Sequence, residues 1–188
     1  DEFYANFYGP AASSMKRYWE IFDKAWTQSP GHAGSLWGYS RRFTPEVLEG
    51  ARNAINTALQ EAGTPLIYER VKMQERALRQ FERFMQMRTD LNEGRLKDLD
   101  RQAAEWYGTQ IGLGEEYEKN FAFSKTYWAK DTAGGYYFKA FIKETYEDAA
   151  RMARENKAIS PPLREWKFAM LKNPDSAPKK GQPKFDGL

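Results

Sequence analysis

Glu115, Glu116 and Glu118 come nearest, by type and spacing, to acid/base chemistry in this sequence. A glycosidase-type carboxylate pair, however, flanks its substrate from separate elements roughly 5 to 10 Å apart. Adjacent acids just after Gly114 match instead the preference of a helix N-terminus for negative charge, so they read as a cap cluster. Asp98 and Asp100 offer no better pair, and no catalytic residue is assigned. Gly134-Gly135 invites a phosphate-cradle reading, but no strand pattern precedes it and no Lys-Ser/Thr follows in the P-loop position. Close packing around Tyr136 and Tyr137 is the better use of those glycines.

The chain has one histidine, His32, and no cysteine. A His-based zinc site, a thiolate site and a pair of Glu-x-x-His motifs therefore cannot be assembled from it, and no metal or cofactor is expected. His32 belongs to the most site-like stretch, from Ser29 to Phe43, which loses helical periodicity and gathers Pro30, Gly31, Gly34, Trp37, Gly38, Tyr39, Arg41 and Arg42. A loop of this length inside a helical domain binds something or packs against a neighbour. Its candidates for ligand or domain-interface contact are His32, Trp37, Tyr39 and Arg42: aromatic platforms and cationic donors suited to a sugar or an acidic sugar.

The elements that must hold this loop read as helices. Pro10 suits a first helical turn with Gly9 as its cap, and Met15, Tyr18, Trp19, Phe22 and Trp26 follow as one broad apolar stripe. Thr44-Pro45-Glu46 restarts the chain with a cap, a proline at the first helical position and an acid on the positive end of the dipole. Leu48, Ala51, Ile55, Ala58 and Ala62 form its buried face. Gly63 is the expected left-handed terminator, and Thr64-Pro65 repeats the start signal. Ile67, Val71, Leu78, Phe81 and Met85 mark the longest helix, with Phe81 central in the core. Leu96, Leu99, Ala103 and Trp106 mark a fourth that ends near Gly112-Leu113-Gly114. A last helix buries Phe138, Phe141, Ile142, Ala149 and Met152.

The fold class is thus all-α: an antiparallel bundle of about five main helices near 10–28, 45–62, 65–91, 95–111 and 135–156. The helical domain covers 1–156, and Pro161, Pro162, Pro174, Pro178 and Pro183 make 157–188 an extended linker or wrapping tail.

Charge narrows the partners. The 29 basic and 26 acidic residues nearly balance and alternate along helix faces, as in Glu75 and Arg79 or Glu147 and Arg151, which reads as a solvated surface. Only Lys179, Lys180 and Lys184 cluster, so no nucleic-acid partner is expected. No apolar run approaches the roughly 20 residues of a membrane span. Asp1 leads straight into Phe3, Phe7, Tyr8, Gly9 and Pro10 with no initiator Met, so the expectation is one domain of a larger protein.

Glu2-Phe3 through Phe7-Tyr8-Gly9-Pro10-Ala11-Ala12, with Met15 and Tyr18, resembles the start of a C-terminal helical region in large bacterial proteins of an uncharacterised, glycoside-hydrolase-like family. The resemblance continues through Trp37-Gly38-Tyr39, Arg42-Phe43-Thr44-Pro45-Glu46, Gln80-Phe81-Glu82 and Gly134-Gly135-Tyr136-Tyr137-Phe138-Lys139-Ala140-Phe141, covering positions 1 to 155. It implies a parent with an upstream catalytic (β/α)₈ barrel, in the style of α-glucuronidases and β-hexosaminidases, and a secreted or periplasmic location. The barrel would carry the acid/base carboxylates, and no catalytic role transfers to a residue here. The chain is then expected to be a non-catalytic accessory domain packed on that barrel, lending a loop to its active-site rim. The competing expectations are an independent carbohydrate-binding module and a helical interaction or dimerisation module.

Overall fold

The computed structural model describes residues 1–29, 39–120, 139 and 142–155, and the described residues are helical with no strand. In chain order they form α1 (Glu2–Tyr8), a 3₁₀ turn (Gly9–Ala11), α2 (Ala12–Thr27), α3 (Tyr39–Arg42), α4 (Pro45–Glu61), α5 (Pro65–Asn92), α6 (Leu99–Asn120) and α7 (Glu144–Arg154). The all-α expectation holds, with five helices longer than ten residues. The chain divides into two compact units between Glu82 and Arg83, inside α5. Residues 157–188 lie outside the described residues, as do Phe138 and Phe141.

In the first unit α2 and α4 run antiparallel: Ser14 Oγ donates to Glu61 Oε2 at 2.6 Å at one end, and Ile21 packs against Gly50 towards the other. Alanines 51, 54 and 58 let α4 approach closely, and with Ile55 they bury Tyr8, Ala11, Met15, Tyr18, Val71 and Leu78. Both Thr-Pro starts are real caps. The Val47 and Ile67 amides donate to the Thr44 and Thr64 hydroxyls at 3.4 and 3.3 Å, satisfying N–H groups that a helix start leaves open.

The second unit packs α6 against α7, again antiparallel, with Arg154 donating to Asp100 at 2.7 Å. Leu99, Ala103, Trp106, Ile142, Tyr146, Ala149 and Ala150 are buried there, together with Phe84, Met87 and Leu91 of α5. Trp106 meets Phe84 at 6.1 Å between ring centroids.

Three boundaries and one core assignment differ from the sequence reading. Pro10 does not open the first long helix; α1 precedes it, and Gly9, at φ +49°, makes the break because a Cβ there would stand 2.8 Å from Ile67 Cδ1. Gly63 is not left-handed, since the positive-φ glycines among the described residues are Gly9 and Gly94. Helix α6 passes through Gly112 and Gly114 to Asn120, and Gly114 is buried. Glu115 and Glu116 therefore sit on a helix interior, not at an N-terminus, and are exposed. Of the last helix, expected over 135–156, Lys139, Ile142 and Lys143 are π-helical and α7 follows from Glu144, while the expected start at 135 lies outside the described residues. Phe81, finally, is half-buried at the edge of the core instead of central to it.

Candidate functional site

The apolar stripe of α2 is wider than the face α4 can cover. Met15 and Tyr18 are buried, Phe22 is half-buried, and Trp19 and Trp26 remain 40% and 48% exposed. Both indoles line a groove of about 550 Å³ with Tyr4, Glu20, Phe22, Asp23 and Phe43. Trp19, Asp23 and Trp26 occupy positions i, i+4 and i+7, so they share one helix face, with the carboxylate between two rings about 10 Å apart along the axis.

Each indole is held from behind. Trp19 stands edge to face against the ring of buried Tyr18, 5.3 Å between centroids, and its nearness to Tyr8 only partly offsets the rise that burial causes in the pKa of that phenol. Trp26 lies nearly parallel to Phe43 (27° between planes, 6.4 Å between centroids), and the Arg42 guanidinium stands 4.9 Å from its ring centre. Behind Phe43 is a set of edge-to-face contacts, with Phe22 at 5.7 Å, Tyr39 at 5.4 Å and Phe81 at 5.1 Å. The groove wall is thus a preorganised aromatic surface.

Of the four residues singled out from the loop, His32 and Trp37 lie outside the described residues. Tyr39 and Arg42 are brought together on the aromatic cluster, but in supporting positions: Tyr39 is half-buried against Phe43 and Phe81, and Arg42 is buried with its charge over Trp26. Sequence reasoning put Trp19 and Trp26 on one broad apolar stripe and assigned them no part in a site. Their signal was the excess width of the stripe opposite an alanine-rich helix.

A charged assembly within the first unit was also missed. Glu75, paired with Arg79 in the sequence reading as a surface feature, is 2% exposed. Its Oε1 accepts from Arg52 at 2.9 Å and from Arg79 at 2.6 Å, and Lys72 Nζ lies 3.0 Å from Oε2. Arg52 also bridges to Glu82, with Nε 3.0 Å from Oε1. Burial pushes the Glu75 carboxyl upward, but the bonds from Lys72, Arg79 and Arg52 outweigh it and hold its pKa down at about 2. A carboxylate so firmly ionised is a poor proton donor and a good structural anchor. Buried Tyr18, whose pKa burial raises, lies within the field of the same Arg52.

In the second unit Arg88 and Tyr146 are both essentially inaccessible to solvent. Burial lowers the pKa of Arg88 and raises that of Tyr146, while each group's charge favours ionisation of the other. The expected Glu147–Arg151 pair is not formed. Glu147 instead takes Lys143, and Arg151 takes Asp148 at 2.9 Å. Among the described residues no three His, Asp or Glu side chains cluster as metal ligands, and no helix is long and apolar enough to cross a membrane.

No protein-family model matches the chain, and comparison with curated proteins and with solved structures likewise gives no match.

Proposed function

We propose that this chain is a non-catalytic helical accessory domain of a larger glycosidase-like protein, packed on the catalytic barrel, stabilising it, and contributing a loop to the rim of its active site. The sequence resemblance supplies the parent. The observation that carries the packing is the α1 surface. Phe3 is 59% exposed and stacks on Phe7 at 5.3 Å, and Arg70 stands 4.2 Å over the Phe7 ring while donating to the Phe7 carbonyl at 2.7 Å. Glu2, Phe3, Asn6, Phe7 and Arg70 line a shallow hollow of about 340 Å³. Aromatic and arginine side chains set together at a surface are what interface cores are enriched in. Leaving a large apolar side chain in water forgoes roughly 1.5–3 kcal/mol relative to burying it, which packing on a second domain would recover.

Hydrogen exchange compares the chain alone with the same segment in its parent. The α1 amides should exchange more slowly in the parent. Equal rates would remove the packing role of α1, and an upstream sequence without alternating strand and helix patterns would remove the barrel.

A further inference from the structure

We propose that the groove on α2 binds a neutral oligosaccharide, with Trp19 and Trp26 as stacking platforms and Asp23 between them as the acceptor for sugar hydroxyls. A pyranose has an apolar C–H face and a rim of hydroxyl donors, and the groove repeats that division: two part-exposed indoles on one helix face, with a carboxylate midway. The axial separation of the rings, about 10 Å for seven residues of helix, suits sugars on both platforms of one chain. Both rings are packed before any ligand arrives, Trp19 against Tyr18 and Trp26 against Phe43 and Arg42, so little side-chain entropy is lost on binding. The volume of about 550 Å³ lies within the range of small-ligand sites.

Charge sets the class. Glu20 and Asp23 are exposed carboxylates in the groove lining, and among the described residues no basic side chain belongs to that lining, so a uronate would meet repulsion from these two groups. A proline-rich peptide would also stack on indoles, but its rings offer no hydroxyl to Asp23 and leave the central acceptor unused. The site does not depend on an upstream glycosidase: sugar affinity in a protein without a barrel would leave it standing.

The test is calorimetric titration of the chain with cellohexaose, mannohexaose, chitohexaose, a galacturonate oligomer and a proline-rich peptide. At least one neutral sugar should bind saturably. Trp19→Ala and Trp26→Ala should each weaken it tenfold or more with the circular dichroism spectrum unchanged. Asp23→Asn, which keeps an acceptor and removes the charge, should retain the neutral ligand and admit the galacturonate oligomer more readily. In the unmodified chain, the bound sugar should shift the indole N–H resonances of Trp19 and Trp26, a readout that needs no variant to fold. Failure of all three neutral sugars, affinity that survives loss of both indoles, unshifted indole resonances, or binding of the peptide alone would each overturn the proposal.

Discussion

Replacing Glu75 with Gln keeps the shape of the side chain and removes its charge, which isolates what the ionised carboxylate contributes. Glu75 is 2% exposed, hydrogen-bonded to Arg52 and Arg79 and ion-paired with Lys72, and its pKa falls from 4.5 to about 2 on folding. A depressed folded-state pKa contributes stability above the unfolded value and loses it as pH falls through the folded one. The contribution is therefore full above about pH 5 and declines from about 4.5 towards 2. At 1.36 kcal/mol per pKa unit it amounts to about 3 kcal/mol at pH 7 and about 1.4 kcal/mol at pH 3. Breaking a buried ion pair from one side costs a similar 3–5 kcal/mol. Hydrogen exchange at the amides of Ala54, Ile55 and Ala58 reads the stability of this unit directly, without assuming that both units unfold together. Glu75→Gln should lower protection by about 3 kcal/mol at pH 7, with the gap to wild type shrinking by about half at pH 3. A loss below about 1 kcal/mol, or one independent of pH, would show that the bonds from its three cations only offset desolvation.

Other changes probe separate claims. Gly9→Ala should cost about 1–3 kcal/mol in chemical denaturation, for a backbone at φ +49° and ψ −121° that side-chain-bearing residues rarely adopt and for the 2.8 Å approach to Ile67. In an Ile67→Val background, which removes Cδ1, only the backbone part should remain, and an unchanged penalty would refute the steric part. The Tyr146 hydroxyl is buried without a hydrogen-bond partner among the described residues, so Tyr146→Phe should be neutral or stabilising by about 1 kcal/mol. A loss of more than 1 kcal/mol in denaturation would reveal a bond to that oxygen. The chain alone should hydrolyse aryl glycosides only at background rate, and turnover abolished by Glu115→Gln would show a catalytic role for that exposed carboxylate.

The helix starts were legible because their chemistry is local: a threonine hydroxyl, a proline and an acid within three residues suffice to cap a helix wherever it packs. What depends on the partner across the core was not legible. Glu75 and Arg79 look the same at i and i+4 whether they face water or Arg52, and nothing near Glu75 in sequence announces Arg52. Arg88 was likewise hidden among charged neighbours on a long helix. Gly112 and Gly114 were read as a stop, although a helical glycine costs only about 1 kcal/mol against alanine. Gly114 is buried, and no proline follows to enforce an end. Helix α1 was missed because Phe3, Tyr4, Phe7 and Tyr8 share one face over only two turns, too short a run for the periodicity to stand out before Gly9-Pro10.

The aromatic groove follows from one mismatch between neighbouring helices. Helix α4 presents Ala51, Ala54 and Ala58 to α2, so the two axes come close and a narrow strip of α2 is enough to fill the space between them. Met15 and Tyr18 take that strip. Trp19 and Trp26, on the flank of the same stripe, fall outside it and would be loose but for the side chains packed against them. Tyr18 meets the first indole edge to face, and Arg42 and Phe43, at the threshold of α4, fix the second. The segment that looked most like a site in the sequence thus contributes its last residues as the back wall of a site on another helix. Arg42→Ala should consequently loosen Trp26 and weaken ligand binding without removing any group that touches the ligand, and restoring the stack with Lys should recover only part of it, because an ammonium lacks the planar face of a guanidinium.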